Sequence, residues 1–209
     1  MTPLENFFGG HIVLINLARR PDRLDHAGTE FDKLGIRSWQ RFEAIDAGPD
    51  DGNRGCSASH RAVMDLIAKN QWPRCLVLED DFETALPDVQ NVFRDIVHKV
   101  PSDWEMLYLG GHYAEKPRAR VNPSIILIGE MKTTSSYGVT LETAYKLRDR
   151  IPTDTCDAID NLYAEFNRTH RCYITQPRLF VQYNNYSDLQ KRQMNNAACM
   201  SDPRHEQMV

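Results

Sequence analysis

Apolar residues along the chain fall into short blocks, and two periods alternate between polar breaks. Residues 11–17 (HIVLINL) form an apolar run of strand length. Residues 22–34 carry Leu24, Ala27, Phe31 and Leu34 at helical spacing, with Gly35 as the stop. Residues 36–45 mix aromatic and branched side chains and predict a second strand, and 46–55 (DAGPDDGNRG) predict a polar loop. A helix is expected over 57–69 on the stripe Ala62, Val63, Leu66 and Ile67. Cys75–Leu78 is too short for a helix and suits a strand buried on both faces. An amphipathic helix is expected over 88–100, with Val92, Phe93, Ile96 and Val97 inward. A strand over 104–109 then ends at Gly110-Gly111-His112.

Beyond that point, residues 114–122 are basic and contain proline, predicting an exposed loop. Short strands are expected at 125–128 and 137–141, helices at 142–150 and 158–168, and strands at 172–175 and 179–183. The alternation predicts one α/β domain over residues 1–186 with a mainly parallel central sheet. Residues 187–209 are polar and irregular and are expected to form a tail.

Composition narrows the function. At 41% hydrophobic and 26% charged, the 209 residues are ordinary for a soluble globular protein. The net charge of −4 gives no nucleic-acid footprint. No apolar run approaches the ~18 residues needed to span a bilayer, and residues 1–8 lack a basic, then apolar, secretory pattern. The five cysteines, Cys56, Cys75, Cys156, Cys172 and Cys199, show no paired short spacing. Free thiols in a cytoplasmic protein are therefore expected, with at most peripheral contact with a membrane face.

The candidate chemistry lies where the Cys75–Leu78 run stops at Glu79, Asp80 and Asp81. Acids at the carboxyl end of such a strand face the crevice where open α/β sheets bind ligands. Alternation sends Glu79 and Asp81 to one side and Asp80 to the other. Clustered carboxylates repel unless a cation lies among them, and hard oxygen ligands favour Mg²⁺ or Mn²⁺. The competing reading is a solvated acidic turn.

Several blocks, in order, resemble glycosyltransferase family 25, which includes lipopolysaccharide and collagen-type galactosyltransferases. These are Ile15-Asn-Leu-Ala-Arg-Arg-Pro-Asp-Arg-Leu24, Gly55-Cys-Ser-Ala-Ser-His60, Leu76-Val-Leu-Glu-Asp-Asp81 and Thr134-Ser-Ser-Tyr-Gly-Val-Thr140. Asp157-Ala-Ile-Asp160 and Gln176 through Asp188 complete the set. The resemblance implies a Rossmann-like GT-A nucleotide-sugar fold. It also implies inverting transfer of a hexose, with galactose leading, from a UDP-sugar to a glycan, lipid-linked core or protein hydroxyl. Lipopolysaccharide biosynthesis is one such setting. Noncatalytic nucleotide-sugar binding and metal-dependent phosphoester hydrolysis are the alternatives.

The resemblance and the chemistry together nominate residues. Glu79 and Asp81 would hold Mn²⁺ or Mg²⁺, and Asp80 would contact substrate. Asp160, or Asp157 one helical turn before it, would take the acceptor proton. Asn16, Arg20 and Arg23 would meet the nucleotide, while Arg19 reads as a plain surface charge. Ser59 and His60 are placed at a helix start, a natural anion site. Ser57 serves equally well as an N-cap there, and His60 as a satisfied core histidine. His112 and Tyr137 are placed at the donor or acceptor pocket, and Tyr137 suits the core as well.

Overall fold

The computed structural model describes residues 1–188 and 191–195. Chain order begins α1 (Pro3–Phe7), β1 (Ile12–Asn16), α2 (Pro21–Leu34), β2 (Gln40–Glu43), α3 (Gly52–Asn70), β3 (Arg74–Glu79) and β4 (Phe82–Thr84). It continues α4 (Val89–Val97), β5 (Met106–Tyr108), β6 (His112–Tyr113), β7 (Ala119–Asn122), β8 (Ile125–Leu127), β9 (Met131–Lys132) and β10 (Ser136–Thr140). The last elements are α5 (Leu141–Arg150), α6 (Ile159–Asn167), β11 (Cys172–Thr175), β12 (Phe180–Gln182), β13 (Tyr186–Ser187) and β14 (Arg192–Gln193).

Eight strands form the central sheet in the order β2-β1-β3-β10-β5-β11-β8-β7. Only β10 and β8 run against the common direction, so the sheet is mixed but mainly parallel, as expected. Strand alternation splits the core into two layers. Val13, Cys75, Val77, Tyr137 and Val139 face α3, α5 and α6. Ile12, Leu14, Leu76, Leu78 and Leu107 face α1, α2 and α4. Both sides are covered, which is why β1 and β3 read as continuous apolar runs.

Local signals explain several element ends. Proline opens α2 and Gly35 closes it in the left-handed region at φ 67°. Helix α1, which the apolar pattern does not suggest, rests on a capping box between Thr2 and Glu5. Its follower Phe8 is fully buried against β10, where a Cβ on Gly138 would lie 2.5 Å from the Phe8 ring. Any larger residue at 138 would evict that ring.

Four expectations need correction. Helix α3 starts at Gly52, so the polar loop is shorter than 46–55 and the Gly-Cys-x-x-Ser-His block lies inside the helix. The basic stretch 114–122 is not all loop, because β7 forms the exposed edge of the sheet. Strand β12 lies outside the main sheet and pairs with β4. Finally, the start of the expected tail is built into the fold: Tyr186–Ser187 pairs with Arg192–Gln193 as a small hairpin. Residues 189–190 and 196–209, including Cys199, lie outside the described residues.

Candidate functional site

The chain leaves β1 through α2 to reach β2, then crosses by α3 on the opposite face to β3. The carboxyl ends of β1 and β3 therefore flank the point where strand order reverses, which is where open α/β sheets form ligand crevices. A cleft of about 390 Å³ opens there. Its walls include Ala44–Gly48 after β2, Cys56, Ser59 and His60 from α3, and the acids after β3. Thr133 and Thr134 before β10 and Asp160 of α6 close the other side.

Glu79 ends β3, and Asp80-Asp81 make the tight turn into β4. Pleat alternation stops at that turn, so all three acids line one cleft and Asp81 is not set apart from Asp80. Asp80 accepts from Asn16 Nδ2 at 2.7 Å and from Arg23 Nη1 at 2.8 Å. Arg23 Nη1 also lies 3.5 Å from Asp81 Oδ2, while Gln182 Nε2 donates to Asp81 Oδ1 at 3.2 Å. Glu79 Oε1 accepts from Thr134 Oγ1 at 2.6 Å and lies 3.2 Å from His60 Nε2.

These surroundings separate the acids electrostatically. Burial pushes the Glu79 carboxyl up, but hydrogen bonding and charge from His60, then Thr134 and Arg23, bring it below the usual range. Asp80 is held above its ordinary value by burial, against Arg23 and Asn16. Asp81 is pushed up to about 7 by burial and then by the Glu79 charge, which Arg23 only partly offsets. Arg23 contacts Asp80 and Asp81 while Glu79 takes His60, so three acidic groups crowd one buried guanidinium.

Several nominated residues have other employment. Arg23 turns its fork on Asp80, Asn185 and the Tyr186 carbonyl, so it serves as counter-ion to the acids. Arg20 pairs with Asp22 and Asp188 and does not line the cleft, whereas Arg19, read as a surface charge, does. Ser59 Oγ donates to the Gly55 carbonyl at 2.7 Å and accepts from Ile45 N–H at 2.8 Å, pinning the β2–α3 loop to the helix. Ser57 is buried inside α3, past its first turn, and donates to the Asp157 carbonyl at 2.8 Å.

His60 is fully buried except where it meets the cleft, with Nδ1 2.7 Å from the Tyr137 hydroxyl. Tyr137 does not reach the cleft. It lies in the core and stands 3.2 Å from the Tyr163 hydroxyl. His112 lines the cleft, with Nδ1 3.1 Å from Thr133 Oγ1. Asp157 precedes α6, is exposed and lies outside the cleft, so it shares no helix face with Asp160, which lines it. Cys56, Thr134, Asp46 and Asp188 also line the cleft. Only the motif position of Cys56 and Thr134 could have drawn attention to them in the sequence.

The four described cysteines, Cys56, Cys75, Cys156 and Cys172, are free thiols. Among the described residues, no helix is long and apolar enough to cross a membrane.

No protein-family model matches the chain. Curated proteins named "Glycosyltransferase 25 family member" do. That of Drosophila melanogaster is 25% identical over 179 residues, covering 71% of this chain and 29% of the relative. That of Aedes aegypti is 25% identical over 194 residues, covering 76% and 31%. That of Anopheles gambiae is 27% identical over 180 residues, covering 69% and 29%. The chain thus spans about three-tenths of the length of the curated relatives it matches. Two solved structures share the fold. One is a mannose-1-phosphate geranyltransferase from Thermus thermophilus, with TM-score 0.51, 8% identity, and 81% of this chain and 74% of that one covered. The other is a glycosyltransferase involved in glycosylation of the major capsid of PBCV-1, with TM-score 0.50, 13% identity, and 87% and 98% covered.

Proposed function

We propose that this chain is a glycosyltransferase of the family 25 kind that moves a hexose, galactose first, from a UDP-sugar to a hydroxyl acceptor with inversion. The observation that carries the reading is the trio Glu79, Asp80 and Asp81 at the strand-order reversal, three acidic groups crowded around the buried Arg23. Similarity to glycosyltransferase 25 family members over about seven-tenths of the chain supports the same reading.

Oxygen donors at Glu79 and Asp81 have the chemistry that hard divalent cations, Mn²⁺ or Mg²⁺, prefer. Glu79 and Asp81 offer oxygens and a net charge that such an ion would balance. When bound, the ion supplies neutralisation of the charge that develops on a diphosphate leaving group. Arg23 favours the ionised forms of Asp80 and Asp81 beside it, and Asn16 fixes the Asp80 carboxylate. Arg19 stands at the cleft wall, paired with Asp46 and Asp188, and would have to exchange those carboxylates for the donor phosphates. Inversion is a single in-line displacement. The acceptor oxygen bonds the anomeric carbon as the bond to the diphosphate oxygen breaks, and the acceptor proton passes to Asp160. The acceptor belongs to a glycan, a lipid-linked core such as that of lipopolysaccharide, or a protein. The free thiols support a cytoplasmic setting.

A donor screen tests the proposal. The protein is incubated with UDP-galactose and other UDP-hexoses in Mn²⁺ with hydroxyl acceptors, and UDP release and product mass are read. Product heavier by one hexose is expected. UDP binding without transfer from any donor would leave a noncatalytic binder in its place.

A further inference from the structure

We propose that Cys56, His60 and Glu79 form a second cation site on the floor of the cleft, suited to a soft divalent cation of the zinc class. The donor atoms of these three side chains all lie within 4.8 Å of one another. Cys56 and His60 are four residues apart on α3 and so share one helix face. Glu79 meets them from the end of β3. All three line the cleft, which leaves a coordination position open to whatever enters it. Three protein ligands and one open position is the pattern of reactive zinc sites, not of closed structural ones.

Two further features support the assignment. His60 Nε2 and Glu79 Oε1 are 3.2 Å apart. Two ligands at about 2.0–2.1 Å from a tetrahedral ion stand roughly 3.4 Å apart, so little rearrangement is needed. The other imidazole nitrogen is 2.7 Å from the buried Tyr137 hydroxyl, itself 3.2 Å from Tyr163. An outer hydrogen-bond partner of this kind fixes ring orientation in metal-ligating histidines. With Nδ1–H donating to Tyr137, a cation would take the place of the Nε2 proton that otherwise bridges His60 and Glu79. Cys56 binds as thiolate, its proton leaving to solvent. A thiolate and an imidazole select a softer ion than the oxygen set of Glu79 and Asp81.

Because Glu79 belongs to both sets, a soft ion here would displace the hard ion. That consequence rests on the transferase reading, whereas the site itself does not.

The test uses the full chain with Co²⁺ as a spectroscopic probe and Zn²⁺ as competitor. Wild-type protein should develop a thiolate-to-cobalt charge-transfer band that Zn²⁺ erases, and Cys56→Ser should show none. A second arm needs no variant: alkylation of the native protein is followed cysteine by cysteine by mass spectrometry, with exposed Cys156 as the internal control. Zn²⁺ at ten times its Kd should slow labelling of Cys56 by roughly tenfold, while Mn²⁺ leaves the thiol reactive. Absence of the band in wild-type protein, an equal band in Cys56→Ser, or unchanged Cys56 labelling with Zn²⁺ would overturn the proposal. Neither arm involves a sugar donor, so failed hexose transfer with both arms positive would count against the transferase reading alone.

Discussion

Arg23 Nη1 lies 2.8 Å from Asp80 Oδ1 and 3.5 Å from Asp81 Oδ2, a buried guanidinium at the centre of the acidic turn. It comes from the first turn of α2 and so ties the helix after β1 to the turn after β3. Breaking a buried pair by removing one partner strands the other, at about 3–5 kcal/mol. Arg23→Met should therefore lower the Tm markedly, and Mn²⁺ should restore more of it than it adds to the parent. Equal cation effects on the two melting curves would show that the acids do not share Arg23 with a cation.

Asp81 gives a prediction with a definite pH sign. Its folded value of about 7 is raised above the ordinary 3.8, so its contribution to stability is fully present below about pH 4 and lost as pH rises through 7. Without divalent cations, Asp81→Asn should melt higher than the parent at pH 8 and close to it at pH 4, with the gap opening between. Adding Mn²⁺ should raise the Tm of the parent and not of the variant. A variant that responds to Mn²⁺ like the parent would remove Asp81 from the cation site.

Glu5 has the opposite sign. Burial raises its carboxyl, but hydrogen bonds from the backbone N–H groups of Thr2, Ser38 and Arg37 together bring it down to about 2 from 4.5. The stability it contributes is present above pH 4.5 and lost as pH falls through about 2. Glu5→Gln should cost about 2 kcal/mol at pH 7 in urea unfolding, and the difference should close by about pH 2. A constant gap across that window would mean the carboxylate charge is irrelevant to α1.

Gly55 has no room for a side chain: a Cβ there would lie 2.5 Å from the Ile45 carbonyl oxygen and 3.1 Å from Ala47 N. Gly55→Ala should push the cleft wall off α3, cost about 1–3 kcal/mol and speed amide hydrogen exchange at Ile45, whose N–H is held by Ser59. Unchanged exchange at Ile45 would show that the loop does not depend on this close approach.

Asp160 lines the cleft and Asp157 does not. Asp160→Asn should lower kcat by about 10²-fold with little change in UDP-sugar affinity, while Asp157→Asn stays near the parent. Loss of turnover in Asp157→Asn alone would reverse the assignment.

The sequence carried the elements whose pattern burial alone sets: the continuous apolar runs of β1 and β3, covered on both faces, and the one-sided stripe of α2. It misplaced the start of α3 because Gly52 and Gly55 are weak helix formers. What holds that first turn is tertiary: the close approach of Gly55 to Ile45, and Ser59 bridging the two. The acidic turn was legible as an apolar run meeting three acids. The neighbours of those acids were not, since nothing local says that Arg23 rather than Arg20 turns inward. Tyr137 shows the same limit: one strand face serves the core and the ceiling of a cleft alike, and only assembly decides between them.

The reversed direction of β10 brings the beginning of a strand to the end of the sheet where β1 and β3 finish. Thr133 and Thr134 therefore enter the cleft from the short connection after β9, not from a strand-to-helix turn. Strand β9 just before it packs on α6, where Lys132 donates to Asn161. The connection's Thr134 hydroxyl and Ser135 carbonyl hold the Glu79 carboxylate and N–H, so this wall is tied to the end of β3, whereas Asn16 and Arg23 take their partners elsewhere. Exchanging residues 129–135 between related chains would thus alter one wall of the cleft and the setting of Glu79 together, while the Asn16 and Arg23 contacts to Asp80 keep their own supports.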